Sequence, residues 1–226
     1  GYLSLAQLWP EQFPDSGNAG QWDLVLALQW LRENIVAFGG DPSRVMLFGQ
    51  SGGGAKIATL MATPAAAGLF HREVTMSGQQ VTASGPLNAA ERARTYLSAL
   101  GSPESPEALL ALPTEALLDQ LNARDPINSD RRLYFGPVFD NRMLPRHPFW
   151  PDAPAQSSSI PTILGNTKDE TRNLIGRREP DMFSLDWDAL PQHLARHMRC
   201  DISPALVAET YRSAYPDLSA TDVFFA

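Results

Sequence analysis

Cysteine is nearly absent: Cys200 is the only one in 226 residues. No intrachain disulfide can form, and no metal cluster built on paired cysteines is available. The missing disulfides give a mild preference for a cytoplasmic compartment. Long apolar runs are also lacking; none approaches the roughly 18 residues that a bilayer-spanning helix needs. Positive charge is in deficit, with 18 Lys and Arg against 25 Asp and Glu and a net charge of −7. Nucleic acid and anionic membrane both require a basic face, so neither is expected as a partner. Sixteen Gly and 19 Pro are too few for a collagen-like or low-complexity chain. What is present, 43% hydrophobic residues over this length, suffices for a real core in one large domain. The chain opens at Gly1, without Met or a charged-then-apolar leader, and closes on Phe224-Phe225-Ala226. These ends predict a segment of a longer polypeptide.

Residues 21–38 carry Leu24, Ala27, Leu28, Leu31, Ile35 and Phe38 at helical spacing, with Asp23, Arg32 and Glu33 off that stripe. Gly39-Gly40 stops this helix, and Asp41-Pro42-Ser43 turns the chain. Residues 44–49 hold four consecutive apolar side chains, the pattern of a strand buried on both faces in a parallel sheet. A helix over 52–61 and a strand over 72–76 follow, which predicts a right-handed parallel crossover.

Residues 85–125 change character. Asn88 with Glu91 resembles a capping box, Ser105-Pro106 opens a second short helix, and Thr114 is expected to cap a third. Together they predict a helical excursion laid over the sheet. Residues 144–161, rich in Pro and Ser, read as a surface connection. Residues 161–165 form a third buried-strand candidate. Helices are expected over about 186–199 and from Ser203-Pro204 to about Ala214. No internal repeat is present.

Gly49-Gln50-Ser51-Gly52-Gly53 fits G-x-S-x-G. Chance alone gives this pattern about 0.07 times in a chain of this length. Its setting, after a buried strand and before a helix, is the one a nucleophile elbow requires. There the serine sits on a sharp, strained turn, and side chains at either flanking glycine are expected to collide with neighbouring backbone. The turn lifts the Ser51 hydroxyl above the sheet edge. It also aims the Gly52 N–H, at a helix N-terminus, where an oxyanion forms. An ordinary Gly-rich strand-to-helix turn is the alternative. A P-loop is excluded because Lys56 is not followed by Ser or Thr, and no dinucleotide fingerprint is present.

The wider pattern resembles the type-B carboxylesterases of the α/β-hydrolase fold. The matching blocks are Asn18-Ala-Gly20 with Asp23, Ala27-Leu28 and Trp30; Asn34-Ile35; and Phe38-Gly39-Gly40-Asp41-Pro42. They continue with Val45 to Gly53, Met76-Ser77-Gly78, Gly136-Pro137-Val138 with Asp140, and Gly165-Asn166-Thr167-Lys168-Asp169-Glu170. They keep the family's order across most of the chain. The resemblance implies a partial α/β-hydrolase domain over residues 1–226: central parallel strands, flanking helices and the excursion at 85–125. It implies a carboxylic-ester hydrolase that forms an acyl-enzyme, with small-molecule esters as substrates and no cofactor or metal. Ser51 then matches the nucleophile, Glu170 the triad acid, Gly52 an oxyanion donor, and Ser77 a serine that helps position the acid. Asp169 is the neighbouring carboxylate, and the choice of Glu170 over it rests on the family pattern.

The resemblance also implies parts lying outside residues 1–226. The N-terminal strands and glycine-rich oxyanion loop are expected upstream, and the catalytic histidine downstream. The histidines present do not fit that role. His71 precedes a strand, His147 lies in the Pro-rich connection, and His193 and His197, four apart, share a helix face expected to be solvated. That pair lacks a third metal ligand. Alone, the segment is expected to have negligible turnover and to be poorly soluble through exposed strand edges. A catalytically silent binding or adhesion module, and an amidase or thioesterase on the same elbow, are the competing functions.

Overall fold

Apolar residues at helical spacing build the first helix, α1 (Ala19–Asn34). Its buried side is Gln21, Val25 and Leu28, flanked by Leu24 and Leu31; Ala27 and Phe38, expected on that stripe, face solvent. The exposed Phe38 ring instead lies 5.9 Å from that of Trp30. The helix tightens to a 3-10 turn over Ile35–Phe38, and Gly39 ends it at φ 77°, a left-handed conformation that suits glycine. Asp41 then accepts from the amide and hydroxyl of Ser43 at 2.9 and 2.6 Å, closing the predicted turn.

The computed structural model describes residues 1–127, 132–197 and 203–225. Cys200, Ala226 and the end of the helix predicted over 186–199 lie outside them. The chain forms two compact units, Gly1–Gly165 and Asn166–Ala226.

The first unit holds a three-stranded sheet in the order β1 (Met46–Gln50), β2 (Arg72–Met76), β3 (Thr162–Gly165), with both pairings parallel. Helix α2 (Gly52–Met61) joins β1 to β2, as the strand-helix-strand pattern predicts. Val25, Leu28, Leu60, Met61, Leu69 and Phe70 form a core against which Leu47 packs, covering one face of β1. In the register Phe48↔Val74↔Ile163, the other face leaves Phe48 70% and Ile163 65% exposed. The expected burial of β1 and β3 on both faces is therefore corrected. Described residues cover the Leu47 side of β1, whereas β3 is exposed on both faces, Leu164 being 61% exposed on the side opposite Ile163.

Between β2 and β3 run α3 (Pro86–Ala99), α4 (Pro106–Leu110) and α5 (Thr114–Asp119). Ala93, Leu97 and Leu109 pack against Leu5 of the N-terminal segment. Ser105 caps α4 as predicted, accepting from the Ala108 amide at 3.2 Å. The other two caps are corrected. Helix α3 starts at Pro86, two residues before Asn88, and Thr114 is the first residue of α5, following Pro113. Both prolines fix φ for a helix start without any side-chain acceptor. The segment predicted as a surface connection is surface only in part, since Leu144 and Pro148 are fully buried.

The second unit contains a π-helical turn (Arg172–Gly176), α6 (Leu190–His197), α7 (Pro204–Ala214) and α8 (Ala220–Phe225). Its core is Met182, Leu190, Leu194, Ala208, Val223, Phe224 and Phe225. Ser203 caps α7 through the Leu206 amide. No described helix is long and apolar enough to cross a membrane.

Candidate active site

Ser51 stands between the last residue of β1 and the first of α2, at φ 53° and ψ −121°. A serine at positive φ lies in a sparsely allowed region, costing on the order of 1–3 kcal/mol, so the surroundings must hold it. Its amide donates to the Met76 carbonyl at 2.8 Å, and its carbonyl accepts the first α2 bond from Ala55 at 3.0 Å. With its backbone satisfied on both sides, the residue is exposed to solvent. Gly52 and Gly53 beside it are exposed too, at a helix start whose first amides have no intrahelical acceptor. An exposed hydroxyl next to such amides, at the positive end of a helix dipole, can attack a carbonyl while an N–H meets the developing charge.

The glycines are not equivalent. A β-carbon at Gly49 falls 2.5 Å from the Gly53 carbonyl carbon and 2.8 Å from the Gly54 nitrogen, so the strand end fits the helix start only without a side chain. At Gly53 the predicted collision is absent, with nothing within 4 Å. The crowded partners are Gly54, whose β-carbon meets the Gly49 oxygen and Gly78 Cα at 3.0 Å, and Gly78, where it would overlap the Ser51 carbonyl oxygen. Sequence reasoning missed both, although the Gly52-Gly53-Gly54 run and the Ser77-Gly78 pair were visible signals.

Ser77, the residue after β2, is half-buried at φ 54°, and its amide donates to the Gly165 carbonyl at 2.7 Å. The turn after β2 is thus bonded to the end of β3. Lys56, one turn into α2, donates to the Gly52 carbonyl at 3.3 Å, and its ammonium lies 5.4 Å from the Tyr2 ring centroid. Burial, with Asp23 adding repulsion, pushes the Tyr2 phenol up to about 12.

Glu170 belongs to the second unit. It is half-buried, and its carboxylate has no hydrogen-bond or ion-pair partner among the described residues. Asp169 is more exposed and lies 3.8 Å from Arg172, which also pairs with Asp222 at 2.5 Å. Hydrogen bonds from Ser219, then the Arg172 contact, hold Asp222 below the usual carboxylate range. The two neighbouring carboxylates therefore differ: Asp169 is in an ion-pair cluster and Glu170 is uncommitted.

Each histidine has structural surroundings. His71 Nδ1 accepts from Val45 at 3.3 Å, and His147 Nδ1 from Ala83 at 3.1 Å. His193 and His197 sit on α6, but the face they share is not solvated as expected. Both are half-buried, because α6 turns this side toward the unit's core. His197 lies 3.6 Å from Glu179 and edge-on to Phe224. No group of three metal-ligating side chains occurs among the described residues.

The sequence blocks at Asn18 and Val138–Asp140 meet in space. Asn18 Nδ2 donates to the Val138 carbonyl at 2.8 Å and to Asp140 at 2.7 Å, while its Oδ1 accepts from the Val138 amide at 2.9 Å. Residues 120 positions apart are closed together by one fully buried side chain.

A parallel sheet whose first strand turns through a strained, exposed serine into a helix is the architecture of an α/β-hydrolase. Comparison with known proteins agrees. The carboxylesterase family matches over residues 3–214, and the chain belongs to that family. It is 40% identical to a para-nitrobenzyl esterase of Bacillus subtilis over 175 residues, 75% of this chain and 35% of the relative. It is 35% identical to a pyrethroid hydrolase of Rattus norvegicus over 167 residues, 73% of this chain and 29% of that protein. The carboxylesterase EST55 of Geobacillus stearothermophilus superposes with a TM-score of 0.76 at 31% identity, covering 99% of this chain and 46% of that structure. The chain thus spans about a third of these curated relatives and under half of the solved structure.

Proposed function

We propose that the whole protein hydrolyses carboxylic esters by acyl transfer, with Ser51 as nucleophile. The observation that carries this is the exposed Ser51 held at φ 53° on a strand-to-helix junction. Residues 1–226 then form the middle part of one catalytic domain, and the remaining polypeptide supplies the histidine and a glycine-rich loop. Small-molecule esters are the substrates; the para-nitrobenzyl and pyrethroid names of two relatives favour esters with bulky or aromatic groups. The net charge of −7 argues against nucleic acid or anionic membrane as partners, and the single cysteine favours a cytoplasmic setting.

The histidine takes the Ser51 hydroxyl proton as Oγ attacks the ester carbonyl carbon. The carbonyl oxygen gains the negative charge. The Gly52 N–H and donors from the glycine-rich loop receive it, each worth about 3 kcal/mol of barrier. Collapse breaks the bond to the leaving alcohol, which takes the proton from the histidinium. Water then repeats the sequence on the acyl-enzyme and releases the acid. Glu170 holds the histidine in the attacking tautomer and stabilises its cation, a role its uncommitted carboxylate leaves open to it. Ser77 supports the acid from the end of β2. No metal or cofactor enters any step.

The test is turnover of aryl esters by the full-length protein. Ser51→Ala is expected to lower kcat by at least about a thousandfold and Glu170→Gln by a large but smaller factor. Wild-type turnover in Ser51→Ala would overturn the proposal.

A further inference from the structure

The turn after β2 touches two parts of the site at once. On one side, Met76 accepts the Ser51 amide, and Gly78 is packed against the Ser51 carbonyl and Gly54 so closely that no side chain fits. On the other side, the Gly165 carbonyl accepts twice. Ser77 N–H reaches it at 2.7 Å and continues the strand ladder, while the Gln79 side-chain amide reaches it at 3.1 Å from outside the ladder. A carbonyl oxygen has two lone pairs, and these two donors use both. Gly165 is the last residue of β3, and the segment leading to Glu170 leaves the sheet directly from it.

We propose that Gln79 is a positioning residue for the triad acid: its amide fixes the root of the acid-bearing segment to the same turn that braces the nucleophile. The proposal rests on Ser51 and Glu170 serving as nucleophile and acid. The ladder with β2 holds β3 as far as Gly165, its last bond being the one from Ser77. The Gln79 amide adds a second attachment from outside the ladder, at the last residue before the acid-bearing segment. Because Gln79 is exposed and fills no core space, its loss changes orientation at the site and leaves the fold's stability intact.

The experiment uses the full-length protein and two variants of matched length. Gln79→Met removes the donor. Gln79→Glu sets a carboxylate against the Gly165 carbonyl. Both are expected to lower kcat about 10- to 100-fold with KM little changed. The acidic limb of the kcat/KM profile moves to lower pH, because a misplaced acid stabilises the histidinium less. Melting temperatures stay at the wild-type value. Wild-type kcat and pH profile in both variants would overturn the proposal. So would a fall in kcat or melting temperature with the acidic limb unmoved, which marks a structural role only. Ser51→Ala runs in parallel; if it turns over like wild type, the catalytic roles themselves fall, and this proposal with them.

Discussion

The Ser51 amide donates to the Met76 carbonyl at 2.8 Å, so the strained serine is anchored to the neighbouring strand as well as to its own helix. The bond continues the β1–β2 ladder one residue beyond Gln50↔Met76. The turn can therefore hold an unfavourable φ without distorting the sheet. Its glycines make this possible, and they differ enough in crowding to be told apart by substitution.

Gly49→Ala is expected to destabilise the full-length protein by about 2 kcal/mol or more, because its β-carbon meets backbone that cannot move aside. Gly53→Ala meets nothing within 4 Å and adds a better helix former in α2. It should leave stability unchanged or raise it by up to about 1 kcal/mol. Urea unfolding of the two variants checks the contrast.

The φ of 53° at Ser51 predicts a trade between stability and function. Ser51→Gly relieves the strain and Ser51→Ala keeps it, so the glycine variant should be about 1 kcal/mol the more stable of the two. Both should be inactive. Equal unfolding midpoints would show that the turn carries no strain.

Asn18 makes three hydrogen bonds within a buried site, two of them to the backbone of Val138. Asn18→Ala leaves that N–H and carbonyl unpaired and should cost about 2–4 kcal/mol, read from the shift in urea midpoint. Asn18→Asp should do at least as badly, since it sets a second carboxylate against Asp140.

Glu73, on the central strand, is 2% exposed, and its Oε2 has no hydrogen-bond partner. Burial raises its pKa above the ordinary 4.5, and a hydrogen bond with Thr162 only partly opposes this. The folded state therefore holds this proton more tightly than the unfolded chain. That contribution to stability is fully present below the unfolded pKa and is lost as pH rises through the folded one. Glu73→Gln should flatten this decline and be the more stable form at pH 8, measured by urea melts across pH. A wild-type protein whose stability does not fall over this range would contradict it.

How much of this was legible in the sequence varies with the range of the interactions. Helix α2 and strand β2 fall on the predicted residues because their patterns are local: an apolar run, glycines before it, Pro64 after it. The Gly39 stop and the Ser105 cap were legible for the same reason. The starts of α3 and α5 were misplaced because Pro86 and Pro113 set the backbone where side-chain caps were expected. Exposure of Phe48 and Ile163 was invisible, since an apolar run does not say which face is covered. In the candidate site, the strand-to-helix turn at Ser51 was legible from spacing, whereas the proposal of Glu170 over Asp169 rests on the family resemblance. The closure of Asn18 on Val138, and of Gln79 on Gly165, spans too much chain for any local pattern to reveal.

The most direct test of the central claim is covalent labelling of the full-length protein with a fluorophosphonate, followed by mass mapping of the modified peptide. One label per chain on Ser51, abolished in Ser51→Ala, is the predicted result. No labelling of the folded protein, or labelling that persists in Ser51→Ala, would contradict it.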